Sequence, residues 1–220
     1  ALATDPKSAF GGVIAFNCEL DEQTAHEIIS KQFVEVLVAP GFSKRALEIL
    51  AEKKNIRLLC LPLSKEHNTF ELKRVGGGVL IQTGDYHDLQ VDHWQVVTTR
   101  KPSAEELNDL QFLWKDVKFV KSNAVVFGKH GRTYGIGAGQ MSRVDASFMA
   151  TKKAHEANLS LQGALAASDA FFPFRDGLDL LAQEGIKAVV QPGGSIRDEE
   201  VIQAANEHDM AMIFTGVRHF

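Results

Sequence analysis

Apolar positions along this chain fall into short continuous runs separated by helically spaced stretches, and the alternation predicts strands and helices in turn. Residues 13–16 (Val-Ile-Ala-Phe) read as a buried strand entered through Gly11-Gly12. Asp21 then caps a helix whose apolar face is Ala25, Ile28, Ile29 and Phe33. A β-rich run at 34–39 stops at Pro40-Gly41, Ser43 caps a helix bearing Ala46, Leu47, Ile49 and Leu50, and 56–61 is the next strand. Alternation at this spacing predicts βαβ units and a parallel or mixed sheet. From Pro62 to about Asp92 the pattern weakens around Gly76-Gly77-Gly78, Gly84 and Asp85, with one strand-like run at 79–82. That stretch predicts a first lobe over 1–92 and a second over 93–220. In the second, 94–99 reads as a strand, and Ser103 with Glu106 forms a capping box for a helix carrying Leu107, Leu110, Leu113, Trp114 and Val117. Residues 124–127 and 133–137 predict a hairpin turned at Lys129-His130-Gly131. A helix over about 142–157, a strand at 188–191, a helix at 198–207 and a strand at 210–215 complete the lobe.

Composition narrows the function classes. The net charge is −4 and no basic cluster exceeds a lysine pair, so a nucleic-acid groove or an anionic membrane surface is a poor partner. No apolar run approaches a bilayer span, and the opening Ala-Leu-Ala-Thr-Asp-Pro does not read as a signal peptide, so the expected setting is cytoplasmic. Cys18 and Cys60 sit beside apolar segments and are expected to be reduced core thiols.

Most of the candidate chemistry lies in the second lobe. Ser168-Asp-Ala-Phe-Phe-Pro-Phe-Arg-Asp176 packs three rings, a proline and three charges ahead of an amphipathic helix. Aromatic walls with a few fixed polar groups suit a pocket for a flat ligand, and equally a turn whose rings plug the core and whose Asp caps the helix. Gly135, Gly137 and Gly139, leading to Arg143, offer either free N–H groups with a forked cation for an anion, or tight packing; Gly193-Gly194-Ser195 repeats the choice. Asn123 can address a ligand at a strand end or close its own turn. Arg218-His219-Phe220 alone reads as a solvated tail. The histidines, His67, His87 and His93 among them, show no zinc-ligand spacing, and no Ser or Cys nucleophile pattern appears.

In order, Ser8-Ala-Phe-Gly-Gly12, Lys121-Ser-Asn123, Gly135-Ile-Gly-Ala-Gly-Gln-Met-Ser-Arg143, the nine-residue aromatic motif, Gln191-Pro-Gly-Gly-Ser195 and Arg218-His-Phe220 resemble the transformylase part of the AICAR formyltransferase/IMP cyclohydrolase family. The resemblance covers essentially the whole chain. It implies two α/β/α lobes of cytidine-deaminase-like topology with mixed sheets, the first incomplete. It implies formyl transfer from 10-formyltetrahydrofolate to the 5-amino group of AICAR, giving FAICAR in purine (IMP) biosynthesis. A homodimer with active sites at the interface, no catalytic metal, and a structural potassium ion near Ser122 and Asp169 are also implied.

Carried over by position, Asn123 is the catalytic candidate. Gly11, Glu35, Asn123, Arg143, Phe171 and Arg218 would meet AICAR, and Val144, Pro173, Phe174, Asp176, Ser195 and Ile196 the folate. Glu35 stands where other members carry Asp. The family's Lys-His pair, which moves the proton, precedes the Ser8 motif and falls outside this sequence, as does the cyclohydrolase part. Two expectations therefore stand: a piece of a working transformylase, or a non-catalytic folate- or nucleotide-binding or dimerisation fragment.

Overall fold

The computed structural model describes residues 2, 4–64, 70–86 and 91–219. His67, His87 and Phe220, noted above, lie outside these residues. The chain is mixed α/β and divides into two compact units, Ala1–Gly84 and Asp85–Phe220. The division falls at Gly84/Asp85 rather than after Asp92.

In the first unit, β1 (Gly12–Ala15), α1 (Glu22–Lys31), β2 (Val34–Ala39), α2 (Lys44–Leu50) and β3 (Arg57–Cys60) build a parallel sheet of order β1-β2-β3. Both helices start where capping chemistry places them: the Asp21 carboxylate accepts from the Thr24 N–H at 2.8 Å, and Ser43 Oγ from the Ala46 N–H at 3.1 Å. Parallel register sets Ile14, Leu37 and Leu58 abreast, and they pack with Ala25, Ile28, Ala46 and Leu50. The alternate positions face away from this core, and Val13 is 70% exposed.

Phe33 lies beyond the helix end, half exposed, with its ring 5.2 Å from that of Phe10. The weakly patterned stretch yields a hairpin of β4 (Phe70–Val75) and β5 (Gly78–Thr83) around Gly76-Gly77, so β4 is a strand the pattern did not predict. Both cysteines are exposed, not core thiols. Cys18 sits in the turn after β1, and Cys60 ends the edge strand β3, where its Sγ donates to Pro40 O at 3.2 Å.

The second unit comprises β6 (Gln95–Val96), α3 (Ala104–Val117), β7 (Val125–Lys129), β8 (Arg132–Gly137), α4 (Arg143–Glu156), β9 (Leu165–Ser168), α5 (Asp176–Gln183), β10 (Ala188–Gln191), α6 (Asp198–Glu207) and β11 (Ala211–Phe214). Its six-stranded sheet has the order β6-β11-β10-β9-β7-β8, with β9, β10 and β11 parallel and β6 and β7 antiparallel to their neighbours. Side chains alternate across it. Val126, Leu165, Ala167, Val190 and Ile213 meet Leu110, Leu113, Trp114 and Val117 of α3. On the opposite face Val125, Phe127, Ala166, Val189 and Met212 meet α4, α5 and α6. The result is an α/β/α layering.

The strand expected over 94–99 contracts to two residues. Past Val96, Thr98 Oγ1 takes the Met212 N–H at 2.8 Å in place of a backbone carbonyl, and this ends the ladder. The capping box of α3 forms as expected. Asp109 on that helix is buried and accepts from the N–H groups of His130 (2.7 Å) and Gly131 (2.8 Å), fixing the turn between β7 and β8.

Helices α5 and α6 are joined by charge. Arg175 donates to both oxygens of Asp179 (2.9 and 3.1 Å) and to Glu207 (2.7 Å), and His208 bonds Asp179 at 2.7 Å. The Arg175 hydrogen bonds hold the Asp179 carboxyl at about 2, below its ordinary 3.8. A depressed carboxylate stabilises the fold above its unfolded value near 4, and that contribution is lost as pH falls through about 2. Asp179→Asn is therefore expected to lower the melting temperature at neutral pH, with the gap from wild type narrowing between about pH 4 and pH 2. A gap that stays constant over that window contradicts the ion-pair account.

Candidate functional site

The parallel strands β9, β10 and β11 end at one edge of the second unit's sheet. Antiparallel β7 begins there, and β8 leaves there. Topology alone therefore gathers residues 121–124, 138–142, 169–175, 192–197 and 215–219 along that edge. The carboxyl ends of parallel strands are where open α/β sheets take ligands.

Arg143, the first residue of α4, lies at the centre and is 6% exposed. Its Nη1 pairs with the fully buried Asp169 carboxylate and also donates to Ala124 O (3.1 Å) and Ser168 Oγ (3.0 Å). Its Nη2 donates to Asn123 Oδ1 at 3.0 Å. Asp169 further accepts from the Ala124 N–H at 3.1 Å. Asn123, joined to Ser122 by a cis peptide bond, donates through Nδ2 to Gln140 O (3.0 Å) and Met141 O (3.2 Å). Both amide hydrogens of Asn123 are thus committed, and Oδ1 keeps one lone pair for a further donor. Asp169 Oδ2 is buried with no hydrogen-bond partner among the described residues, and Ser122 is half-buried.

The glycine clusters do not leave free amides for an anion. A Cβ on Gly135 would fall 2.0 Å from Ala150 O and one on Gly137 1.8 Å from Ala146 O, so these glycines let α4 lie directly on β8. The Gly139 N–H donates to Lys121 O (2.7 Å) and the Gln140 N–H to Asn123 O (3.3 Å). At the second cluster, the Asp198 carboxylate accepts from the N–H groups of Gly194 (2.7 Å) and Ser195 (3.1 Å), so the anion there is the protein's own. Arg143, expected as a cation for a ligand, already has its carboxylate.

The aromatic motif divides its rings. Phe172 is buried against Gly177, and its N–H donates to Gln191 Oε1 at 2.8 Å. Phe171 is half-buried with the Arg218 guanidinium 4.8 Å from its centroid, and Phe174 is 47% exposed with Arg197 at 4.8 Å. Pro173 between them is half-buried. Arg175 occupies the N-cap position of α5 with no side-chain cap bond, so no Asp caps this helix. Asp176 instead starts it, exposed, with Oδ1 accepting from the Gly177 N–H at 2.7 Å. Val144 and Ser195 are half-buried and Ile196 is fully exposed.

The solvated-tail reading fails. His219 is 3% exposed, its N–H donates to Asp169 O at 3.0 Å, and its Nδ1 lies 2.5 Å from Asp85 Oδ2. Gly11 and Glu35 belong to the first unit and are neighbours there: Gly11 has φ +72°, and a Cβ on it would sit 3.1 Å from Glu35 Oε1. Sequence reasoning passed over Gln191, His219 and the Arg143–Asp169 pairing. A glutamine closing the apolar run Ala188-Val-Val was a usable signal for the first; the others required knowing which strand ends meet.

Among the described residues no group of three or more His, Cys, Asp or Glu side chains is placed to hold a metal ion, and no helix is long and apolar enough to cross a membrane. Removing one member of a buried pair strands the other, at about 3–5 kcal/mol. Arg143→Met is expected to cost on that order in chemical denaturation, and Arg143→Met combined with Asp169→Asn to cost less than Arg143→Met alone. Additive losses in the double variant contradict the pairing.

The family model of the AICARFT/IMPCHase bienzyme matches residues 1–153. Two curated relatives, both called bifunctional purine biosynthesis protein PurH, come from Neisseria meningitidis serogroup C (60% identical) and Neisseria gonorrhoeae (59% identical). Each match covers 100% of this chain and 42% of the relative, so the chain spans less than half the length of these proteins. A solved Thermotoga maritima structure, a diaminohydroxyphosphoribosylaminopyrimidine deaminase/5-amino-6-(5-phosphoribosylamino)uracil reductase, aligns at TM-score 0.34 and 22% identity over 48% of this chain and 34% of its own. With a family model over most of its length and 60% identity to a curated relative across all 220 residues, the chain belongs to the AICARFT/IMPCHase bienzyme family.

Proposed function

We propose that this chain forms part of an AICAR formyltransferase, moving a formyl group from 10-formyltetrahydrofolate to the 5-amino group of AICAR in purine biosynthesis. The observation that carries the reading is the Asp169–Arg143–Asn123 relay at the sheet edge, within the loops that also present Phe171 and Arg218.

The AICAR amine is a weak nucleophile because its lone pair is delocalised into the imidazole and carboxamide. The reaction needs orientation, a proton acceptor and donors for the oxyanion formed on the formyl carbon. Asn123 meets the first need. With Nδ2 held by Gln140 and Met141, its remaining Oδ1 lone pair accepts one N–H of the AICAR amine or carboxamide. The Arg143 bond to Oδ1 fixes where that lone pair points. Arg218, exposed over Phe171, is the cation suited to the nucleotide phosphate, and Phe171 the ring suited to its base. Gly11 and Glu35, neighbours within the first unit, are proposed as nucleotide contacts on that unit.

Toward the folate, Pro173, Phe174, Val144 and Ile196 offer apolar wall, and Ser195 a polar contact. The Asp176 oxygen not engaged by Gly177 can accept an N–H of the pterin. A potassium ion would be held by Asp169 Oδ2 with Ser122, since a buried carboxylate oxygen without a partner suits a hard cation; its part would be to fix the loops, with no chemical step of its own. A homodimer with sites completed between subunits accords with the exposed apolar face of the first unit's sheet, where Val13 and Leu59 lie.

The test is a formyl-transfer assay on the full encoded protein and its Asn123→Ala variant. Wild type is expected to form FAICAR, and the variant to lose on the order of a hundredfold in turnover, the scale of a misplaced reacting group. A variant with unchanged turnover and a lower melting temperature would make the Asn123 amide a purely structural brace.

A further inference from the structure

We infer that His219 is a positioning residue: it locks the segment 215–219 onto the Asp169 loop and thereby sets the Arg218 guanidinium over Phe171. Nothing about a lone histidine beside an arginine requires this; three contacts do. The His219 backbone N–H donates to Asp169 O at 3.0 Å, tying the segment to the carboxyl end of β9. Its ring lies 4.5 Å from the ring of Trp114, a 5% exposed side chain of α3. Its Nδ1 meets Asp85 Oδ2 at 2.5 Å, while Lys118 stands 3.7 Å from the other Asp85 oxygen. His219 Nε2 is buried with no partner among the described residues, so the Nδ1 contact is the polar anchor found for the ring.

The backbone upstream is fixed as well. The Thr215 N–H donates to Gln191 O (2.9 Å), the Gly216 N–H to Pro192 O (3.0 Å), and Thr215 Oγ1 to Val217 O (3.1 Å). Arg218 is thus held from both sides by its neighbours' backbone, while its own side chain is exposed and makes no hydrogen bond or ion pair among the described residues. An exposed guanidinium with several rotatable bonds stays over one ring only if the chain on either side is held in place. A 3% exposed imidazole one residue later supplies that constraint.

The ligand consequence rests on the reading of Arg218 and Phe171 as nucleotide contacts; the locking itself does not. Both are measured in the full encoded protein, in a background where Trp94 and every tryptophan outside these 220 residues are replaced by Phe, so that acrylamide quenching reports Trp114. His219→Leu fills the space without the Nδ1 donor, and His219→Asn restores a donor. Leu is expected to raise Trp114 quenching and to raise KM for AICAR roughly tenfold, the scale of one weakened charge-assisted contact, with kcat held. Asn is expected to recover most of both. Should His219→Leu fail to fold, Asp85→Ala removes the same anchor with the ring retained, and the same shifts are expected. Raised quenching with unchanged KM overturns the positioning role, and unchanged quenching overturns the lock. A wild-type protein that binds no AICAR would instead overturn the proposed function, leaving quenching to decide the lock.

Discussion

The candidate site depends on a charge pair that water does not reach. Arg143 and Asp169 come from different elements, 26 residues apart in sequence, and neither is tolerable in the interior without the other. Around the pair the edge of the second unit's sheet is assembled. Ala124 gives it an N–H and a carbonyl at the start of β7, Ser168 gives a hydroxyl at the end of β9, and Asn123 an amide oxygen. Each of these groups would be a liability in an apolar interior if left alone. Together they satisfy nearly every donor and acceptor in the cluster, and Asp169 Oδ2 is the exception.

Such a network holds geometry better than any of its members could. Asn123 has no rotamer freedom left when its oxygen is taken by Arg143 and its nitrogen by two carbonyls. Two further residues extend the constraint outward. Gln191 at the end of β10 takes the Phe172 N–H, and His219 beyond β11 gives its own N–H to Asp169 O. Three parallel strand ends thus each contribute one fastening, and the ring–cation pairs, Phe171 with Arg218 and Phe174 with Arg197, stand on a framework that is buried and paired. On the proposed reading, orientation of a weak nucleophile is what such rigidity supplies.

What the sequence disclosed and what it hid follow from range. The caps Asp21, Ser43 and Ser103 were legible because a cap and its N–H lie within one turn. The hairpin at His130-Gly131 was legible for the same reason, although Asp109, which bonds it from α3, was not. Gly135 and Gly137 looked like an anion cradle because spacing cannot say that a helix backbone rests on them. Arg143 looked like a free cation because its counter-ion is remote in sequence, and the Arg218-His219 segment looked solvated because the Trp114–Asp85 recess that receives it is built from two distant pieces of chain. The motif order carried family membership, and the local rules alone did not reach it.

The most direct test is a crystal structure of the full encoded protein with AICAR bound. The account predicts Arg143 still paired with Asp169, Asn123 Oδ1 about 2.7–3.2 Å from an amine or carboxamide nitrogen of the nucleotide, and the Arg218 guanidinium at its phosphate. A structure in which Arg143 leaves Asp169 to bind the phosphate, or in which AICAR occupies a place away from this sheet edge, would contradict it.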